Sequence, residues 1–281
     1  MPGIVDVPGV EVFGKGKGEY RLPCGYVDET GKVHKRIVLR ETTGVEEDMM
    51  DDDEMSSDAR MTAILTECCE QIGEIKDKEK IAQIIGDDLP MGLPITSSDR
   101  IASMIFLRRT SVGDIYHFER RCPRCGYMNK NKHIDLRNLE IKQVPEDRVA
   151  KRRLAVTLPR SKKKAVVRVL TAKFEARLTE LRPNQKDLRS AAILARLESL
   201  DGQNLDNPHI GLTTVKALPQ EDRNYLRKVY NLIEADVDTM VELTCASKIC
   251  PADFRFPIDL GQSFFSNPVE EQVTDAELTW L

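Results

Sequence analysis

Residues 118–136 read FERRCPRCGYMNKNKHIDL, and residues 241–260 read VELTCASKICPADFRFPIDL. Each stretch holds two closely spaced cysteines between strand-like segments, and we call each such turn a knuckle. Two knuckles can direct four thiolates at one ion, and zinc prefers four such ligands in a tetrahedron. The sequence therefore predicts one structural zinc site made from two distant parts of the chain. The predicted ligands are Cys122, Cys125, Cys245 and Cys250.

Other short sequence pairs also occur twice in the chain. The two copies of each pair are separated along the chain by nearly the same number of residues as the two knuckles. Helical apolar spacing follows both Asp-Arg pairs. A looser match relates residues 21–44 to residues 157–176 and pairs Arg36 with Arg168. Either these short pairs recur by chance or the chain contains an internal duplication, which their common order favours. The matches are Ile134-Asp135-Leu136 with Ile258-Asp259-Leu260, Leu93-Pro94 with Leu218-Pro219, and Asp99-Arg100 with Asp222-Arg223.

These patterns predict an α+β protein of two related halves, joined by a four-cysteine zinc ribbon. Helical spacing after the first hairpin-like segment includes Met61, Ile64, Leu65, Cys68, Ile72 and Ile75, and in the second half Phe174, Leu178 and Leu181. The predicted parts are a flexible lead-in (1–17), a first half (18–145), a second half (146–262) and a C-terminal tail (263–281).

Other ligand sets stay open at this stage. The second knuckle is longer than the first and lacks a glycine equivalent to Gly126, which relieves crowding where backbone amides turn toward sulfur. His117 or His133 could then replace a cysteine, or all four cysteines could be free thiols. Cys24, Cys68 and Cys69 are predicted to be packing residues, since small thiols are often buried.

Nothing in the sequence supports an enzyme. His117-Phe118-Glu119 lies only two residues before Cys122, whereas zinc deaminases bring His-x-Glu and the cysteine pair from separate helix starts. The GKGKG stretch at 14–18 lacks the Gly-Lys-Ser/Thr of a phosphate-binding loop. No run of about 18 apolar residues occurs, which predicts no membrane span. The start lacks the order of a secretory signal, and seven cysteines without a disulfide pattern favour a reducing cytoplasm.

Charge is segregated along a chain whose net charge is −4. Residues 41–58 contain nine acids and no base, and we interpret them as a solvated face or a mobile link. Residues 148–177 contain eleven Lys/Arg, including the predicted hairpin turn RSKKK at 160–164. Opposite charge blocks favour self-association or several protein partners over dedicated polyanion binding.

With these elements in order, the sequence resembles the baseplate hub-assembly or tail-assembly proteins of T4-like contractile-tailed phages. The resemblance covers most of residues 18–172. The long acidic insertion after Thr43, and Arg160-Ser161 in place of a glycine, depart from the family pattern. The stretches that carry the resemblance are Leu22-Pro23-Cys24-Gly25, VLRETTGVEE (38–47), DRIASMIFLRRTSVGDIYHFERRCPRCG (99–126), Ile134-Asp135-Leu136 and LPRSKKKAVVRVLT (158–171).

The resemblance implies a non-enzymatic bacteriophage protein that acts in virion assembly through protein–protein contacts. Its partners would be other baseplate or tail proteins and further copies of itself, without a small-molecule substrate. It would be made in the host cytoplasm and, if retained, would lie in the tail baseplate. The competing interpretation is a zinc-ribbon nucleic-acid-binding protein, which the acidic balance and scarce aromatics disfavour. That alternative would use Arg120, Arg121, Arg124, Lys130, Lys132 and the basic stretch 148–164.

Overall fold

A computed structural model describes residues 17–52, 54–181 and 187–265 of the chain. The predicted lead-in and tail therefore lie outside the described residues, apart from Lys17 and residues 263–265. Helices and strands alternate along the described residues, so the chain is a mixed α/β protein. None of the helices in the described ranges is both long and apolar enough to cross a membrane.

The first run of elements begins with a hairpin and ends with the first knuckle. Strands β1, β2 and β3 form an antiparallel sheet in that order, and β4 pairs with β5 around Cys122 and Cys125. The elements are β1 (Lys17–Val27), β2 (Val33–Arg40), α1 (Gly44–Asp51), α2 (Ser57–Cys68), β3 (Cys69–Ile72), α3 (Lys78–Gly86), α4 (Ser97–Ser111), β4 (Ile115–Arg121) and β5 (Met128–Asp135).

A connection then leads into a second run of elements. The connection holds a 3-10 turn (Leu136–Asn138), β6 (Ile141–Lys142) and α5 (Glu146–Val149). The second sheet has the order β10-β9-β8-β7, while β6 pairs with β11 and β12 with β13. The second run comprises β7 (Arg153–Thr157), β8 (Lys164–Arg168), α6 (Ala172–Leu181), α7 (Leu188–Arg196), β9 (Leu197–Leu200), β10 (Gln203–Asn204), α8 (Pro208–Ala217), α9 (Gln220–Ile233), β11 (Asp236–Val237), β12 (Met240–Thr244), β13 (Asp253–Pro257) and α10 (Gln262–Phe265).

The two runs share their order of elements and their central strand register. Each has a hairpin, two helices, a strand that directly continues the second helix, two more helices and a knuckle hairpin, and the second run adds the two-residue strands β10 and β11. The bulge between the second and third strands falls at the corresponding position in both sheets, and residue 37 of the first corresponds to residue 165 of the second. The paired residues are Ile37–Ile72, Val38–Gln71 and Leu39–Cys69 in the first sheet, and Ala165–Leu200, Val166–Ser199 and Val167–Leu197 in the second.

A buried aspartate near the start of a helix fixes each hairpin to its own run. Asp99 of α4 and Asp222 of α9 are both fully buried. Each carboxylate accepts hydrogen bonds from two successive backbone N–H groups, 2.7 to 3.1 Å away, just after a Leu-Pro dipeptide. Buried backbone donors of this kind need an acceptor, so the aspartates complete the turn. The donors belong to Cys24 and Gly25 in the first run and to Arg160 and Ser161 in the second.

The arginine after each aspartate also makes a corresponding contact. Arg100 donates to the hydroxyl of Thr62 on α2 at 2.7 Å. Arg223 donates to the hydroxyl of Ser190 on α7 at 2.9 Å. The Asp-Arg pairs therefore begin helices, as their sequence context predicts, and each pair ties its helix both to a hairpin and to the helix before the third strand.

The acidic stretch 41–58 contains helix α1 and the first two residues of α2, and these parts are not a mobile link. Thr43 and Glu46 form a capping box at the helix start. Glu46 is fully buried and accepts two hydrogen bonds from Arg40, at 2.7 and 3.1 Å. These bonds lower the pKa of Glu46 to about 2 and keep the buried carboxylate charged.

Two further sequence expectations are wrong in detail. By strand register, Arg168 corresponds to Arg40 and not to Arg36. The guanidinium of Arg168 lies 3.6 Å from the centre of the Phe174 ring. The helical spacing that runs on to Ile72 and Ile75 also misplaces a boundary, because α2 ends at Cys68. Pairing of residues 69–72 with β2 outweighs the helical periodicity at this point.

The apolar residues form one large core around the first run and a second core around β8, α7 and α9. The first core also contains residues from the far end of the described chain. Val241 and Phe256 of the β12–β13 hairpin, together with Phe264 of α10, pack into it. The second knuckle is therefore carried by a hairpin that belongs to the first core.

Candidate metal centre

The two knuckles meet. The Sγ atoms of Cys122, Cys125, Cys245 and Cys250 all lie within 4.8 Å of one another. The Cys125 and Cys245 sulfurs are 3.7 Å apart. A tetrahedral zinc ion with Zn–S bonds of about 2.3 Å sets its sulfurs about 3.8 Å apart. The Cys125–Cys245 distance matches this spacing, and the four sulfurs lie close enough together to hold one metal ion.

The backbone of the first knuckle is arranged to favour a thiolate. Gly126 has a φ of +74°, which glycine adopts without strain, and its N–H donates to the Cys122 carbonyl at 2.9 Å. The backbone amides of Cys125 and Arg124 point at the Cys122 sulfur and lower its pKa to about 7. Cys122 is buried while Cys125 is exposed, so this knuckle presents one ligand to solvent.

The second knuckle also forms a closed turn, but without a glycine. Its longer turn is closed by the Cys250 N–H, which donates to the Ser247 carbonyl at 3.1 Å. Cys245 and Cys250 are both buried, and burial raises the pKa of Cys250 to about 11. A divalent cation reverses that preference, because a coordinating thiol loses its proton to the metal.

One side chain joins the two knuckles directly. Asn129 on β5 is fully buried. Its Nδ2 donates to the Arg120 carbonyl at 3.0 Å, and its Oδ1 accepts from the Ala246 N–H at 2.8 Å. Asn129 therefore fixes the position of the turn after Cys245 relative to the first hairpin. By register it lies where Phe254 lies in the second hairpin.

Replacing Asn129 with alanine is expected to weaken zinc binding about 10-fold while the stoichiometry stays at one ion per chain. The four ligands remain, but the contact that holds the two knuckles in place is lost. Competition with a chromophoric zinc chelator measures the affinity. Lys130→Ala, at the exposed neighbouring position, is the matched control and should leave the affinity unchanged. An unchanged affinity in Asn129→Ala would show that this amide does not position the ligands.

The two histidines are not needed to complete the cluster. His117 and His133 face each other across β4 and β5, with ring centroids 5.7 Å apart. Within the described residues, the side chains that come together at ligand distances are the four cysteines. His117-Phe118-Glu119 lies along strand β4, so it does not begin a helix as in the deaminases.

The other three cysteines are packing residues. Cys24, Cys68 and Cys69 are buried among apolar side chains. Burial raises the pKa of Cys24 to about 11 and the pKa values of Cys68 and Cys69 to about 12. Thiols in such surroundings are inert.

Comparisons with protein-family models, with curated proteins and with solved structures found no match to this chain. The cysteine cluster and the repeated order of elements are therefore the features from which a function has to be inferred.

Proposed function

We propose that this chain is a non-enzymatic structural or assembly protein, in which one zinc ion clamps two halves derived from a duplication. The observation that carries the proposal is the grouping of four cysteines, two from each knuckle, with all sulfurs within 4.8 Å. Four thiolates fill the coordination sphere of zinc and leave no position for a substrate or a water molecule. A centre of this kind stabilises a fold, and its binding energy becomes folding energy.

The duplication is supported by contacts that the two runs share at corresponding positions. The sheets have the same bulge, and Asp99 and Asp222 accept from corresponding backbone amides. Arg100 and Arg223 bond to hydroxyls on corresponding helices. If the short sequence pairs recurred by chance, there would be no reason for these tertiary contacts to recur with them.

The resemblance in residues 18–172 supports a more specific role. We propose that the chain acts at the baseplate or hub of a contractile phage tail, through contacts with other tail proteins. It would be made in the host cytoplasm, where its thiols stay reduced, and could remain in the tail as a component. A rigid pair of similar halves suits this role, because it offers two related surfaces in a fixed orientation.

A second candidate function has one specific observation in its favour. Tyr127, at the tip of the first knuckle, is 48% exposed. The basic side chains of Arg121, Arg124 and Lys130 around it are also exposed. An exposed ring among cations could stack on a base of single-stranded nucleic acid while the cations contact phosphates. The net charge of −4 opposes this alternative.

Two assays separate the functions. A tagged chain purified from infected cells should retain baseplate or hub proteins, and a Cys122→Ser/Cys245→Ser double variant should lose them. Fluorescence anisotropy with single-stranded DNA and RNA should show no tight binding at low salt. Tight binding that weakens steeply with salt and is lost in Tyr127→Ala would overturn the assembly proposal in favour of nucleic-acid binding. Recovery of the chain without any tail protein at every stage of infection would argue against the baseplate role.

A further inference from the structure

Strand β7 lies at an open edge of the second sheet. Its only neighbour in the described sheet is β8. The Leu158 N–H donates to the Lys163 carbonyl, and the Arg152 carbonyl accepts from the Val169 N–H. In an antiparallel strand the backbone N–H and C=O groups of successive residues point to opposite sides. The backbone groups of residues 152, 154, 156 and 158 therefore bond to β8, and those of residues 153, 155 and 157 point away from it. In the described part of the chain, nothing bonds to the outward N–H and C=O groups of Arg153, Ala155 and Thr157.

In the first sheet the edge of β1 is covered beyond Leu22, in the part that corresponds to the turn after β7 and not to β7 itself. The Pro23 carbonyl accepts from the Val144 N–H, and Val27 exchanges two backbone hydrogen bonds with Leu93. The Gly25 carbonyl accepts from the buried side chain of Arg152. Natural sheets cover or charge their edges, since an open row of backbone groups invites another strand. β7 itself contains no proline, and Arg153 is its one charged residue.

The apolar face of the second sheet also continues outward to this edge. Leu158 is fully buried against the second core, Val156 is half-buried, and Leu154 is 42% exposed. Their partners on β8, Ala165 and Val167, are buried. An added strand would extend the sheet and cover Leu154.

A second copy of β7 fits this edge. With a two-fold axis at Ala155, an antiparallel pair sets Arg153 of each copy opposite Thr157 of the other. Leu154 then faces Val156 of the second copy on the apolar side. The one cation of the strand never meets its own copy, and Arg153 already pairs with Glu198 of its own chain. Such pairing satisfies the outward backbone groups without opposing like charges.

We propose that β7 is an interaction surface for β7 of a second copy of this chain, which joins two four-stranded sheets into one continuous sheet. This inference goes beyond the assembly role proposed above and does not depend on it. The two-fold axis makes the contact closed, so it produces a dimer and not a filament.

A charge swap at Ala155 tests the proposal. Its side chain is exposed on the face away from the core, so the folded monomer should tolerate either charge. In the two-fold pair the two copies of residue 155 lie opposite each other, about 5 Å apart. The purified wild type should have twice the chain mass of 31.8 kDa by light scattering. Ala155→Lys and Ala155→Glu should each have the mass of one chain, and an equal mixture of the two should regain the doubled mass.

Two controls distinguish loss of the β7 contact from a general effect of added charge and from unfolding. Thr213→Lys adds the same charge at an exposed position on α8 and should leave the dimer intact. Circular dichroism and melting of each variant show whether the chain is folded. A wild type of single-chain mass throughout the accessible concentration range would overturn the proposal. So would a dimer that persists in both charged variants, because the contact would then lie elsewhere on the surface.

Discussion

Replacing Cys245 with serine is expected to remove the metal ion and to lower the melting temperature by about 10 °C. Loss of a structural metal costs about 4 kcal/mol or more, and each kcal/mol shifts the melting temperature of a chain of this size by about 2 to 3 °C. The loss should not unfold the whole chain, because two large clusters of buried apolar residues remain. Elemental analysis of the purified protein, followed by calorimetry, measures both effects.

A cysteine outside the cluster provides the control for that experiment. Cys24→Ala removes a buried thiol from a separate apolar cluster, so it should lower the melting temperature modestly while the metal stays bound. The wild type should contain about one zinc ion per chain, and elemental analysis distinguishes zinc from iron. A metal-free wild type purified without chelators would refute the clamp. Full metal content in Cys245→Ser would show that the second knuckle is not part of the site.

Replacing Asp99 or Asp222 with alanine is expected to lower the free energy of unfolding by about 4 kcal/mol in each case. Both carboxylates are fully buried, and each accepts from two successive backbone N–H groups that would lose their acceptor. The asparagine variants keep one acceptor oxygen and should cost less than the alanine variants. Urea unfolding of the four variants, followed by circular dichroism, gives the comparison.

An exposed aspartate shows the effect of removing a carboxylate alone. Asp236→Ala, on β11, should change the free energy of unfolding by less than about 0.5 kcal/mol. Similar large losses at Asp99 and Asp222 would mean that the corresponding positions carry corresponding energies, as a duplication requires. A large loss at one position and none at the other would contradict that expectation.

Local sequence was enough to predict each cysteine knuckle and the two Asp-Arg helix starts, whereas the pairing of the two knuckles was inferred from the need of zinc for four ligands. A knuckle is defined by the spacing of Cys122 and Cys125, and a helix start depends on the side chains of its first turn. Both features depend on neighbouring residues. The RSKKK stretch was likewise predicted to be a hairpin turn, and it joins β7 to β8.

The rest depends on contacts between distant residues, which a local pattern does not contain. The acidic composition of 41–58 favoured a solvated face or a mobile link, and most of its described side chains are exposed. Glu46 is the exception among the described acids, because Arg40 pairs with its buried carboxylate next to the start of α1. Helical spacing continued past Cys68, yet the next residues pair with β2. The sequence holds one weak indication of the role of Asn129, because this polar residue occupies the position that Phe254 has in the second hairpin. Its role in joining the knuckles follows only once both hairpins are placed side by side.

The position of the β12–β13 hairpin affects how the chain is made. Val241 and Phe256 complete a core whose other members lie mostly before residue 140, and the ribosome releases them only after most of the second run. Part of the apolar surface of the first run therefore stays uncovered during synthesis until this hairpin has emerged. An interrupted chain that ends within the second run would leave this core open and the knuckle at Cys122 without its partner. Folding of the first core and formation of the four-cysteine cluster therefore both depend on a chain translated through this hairpin.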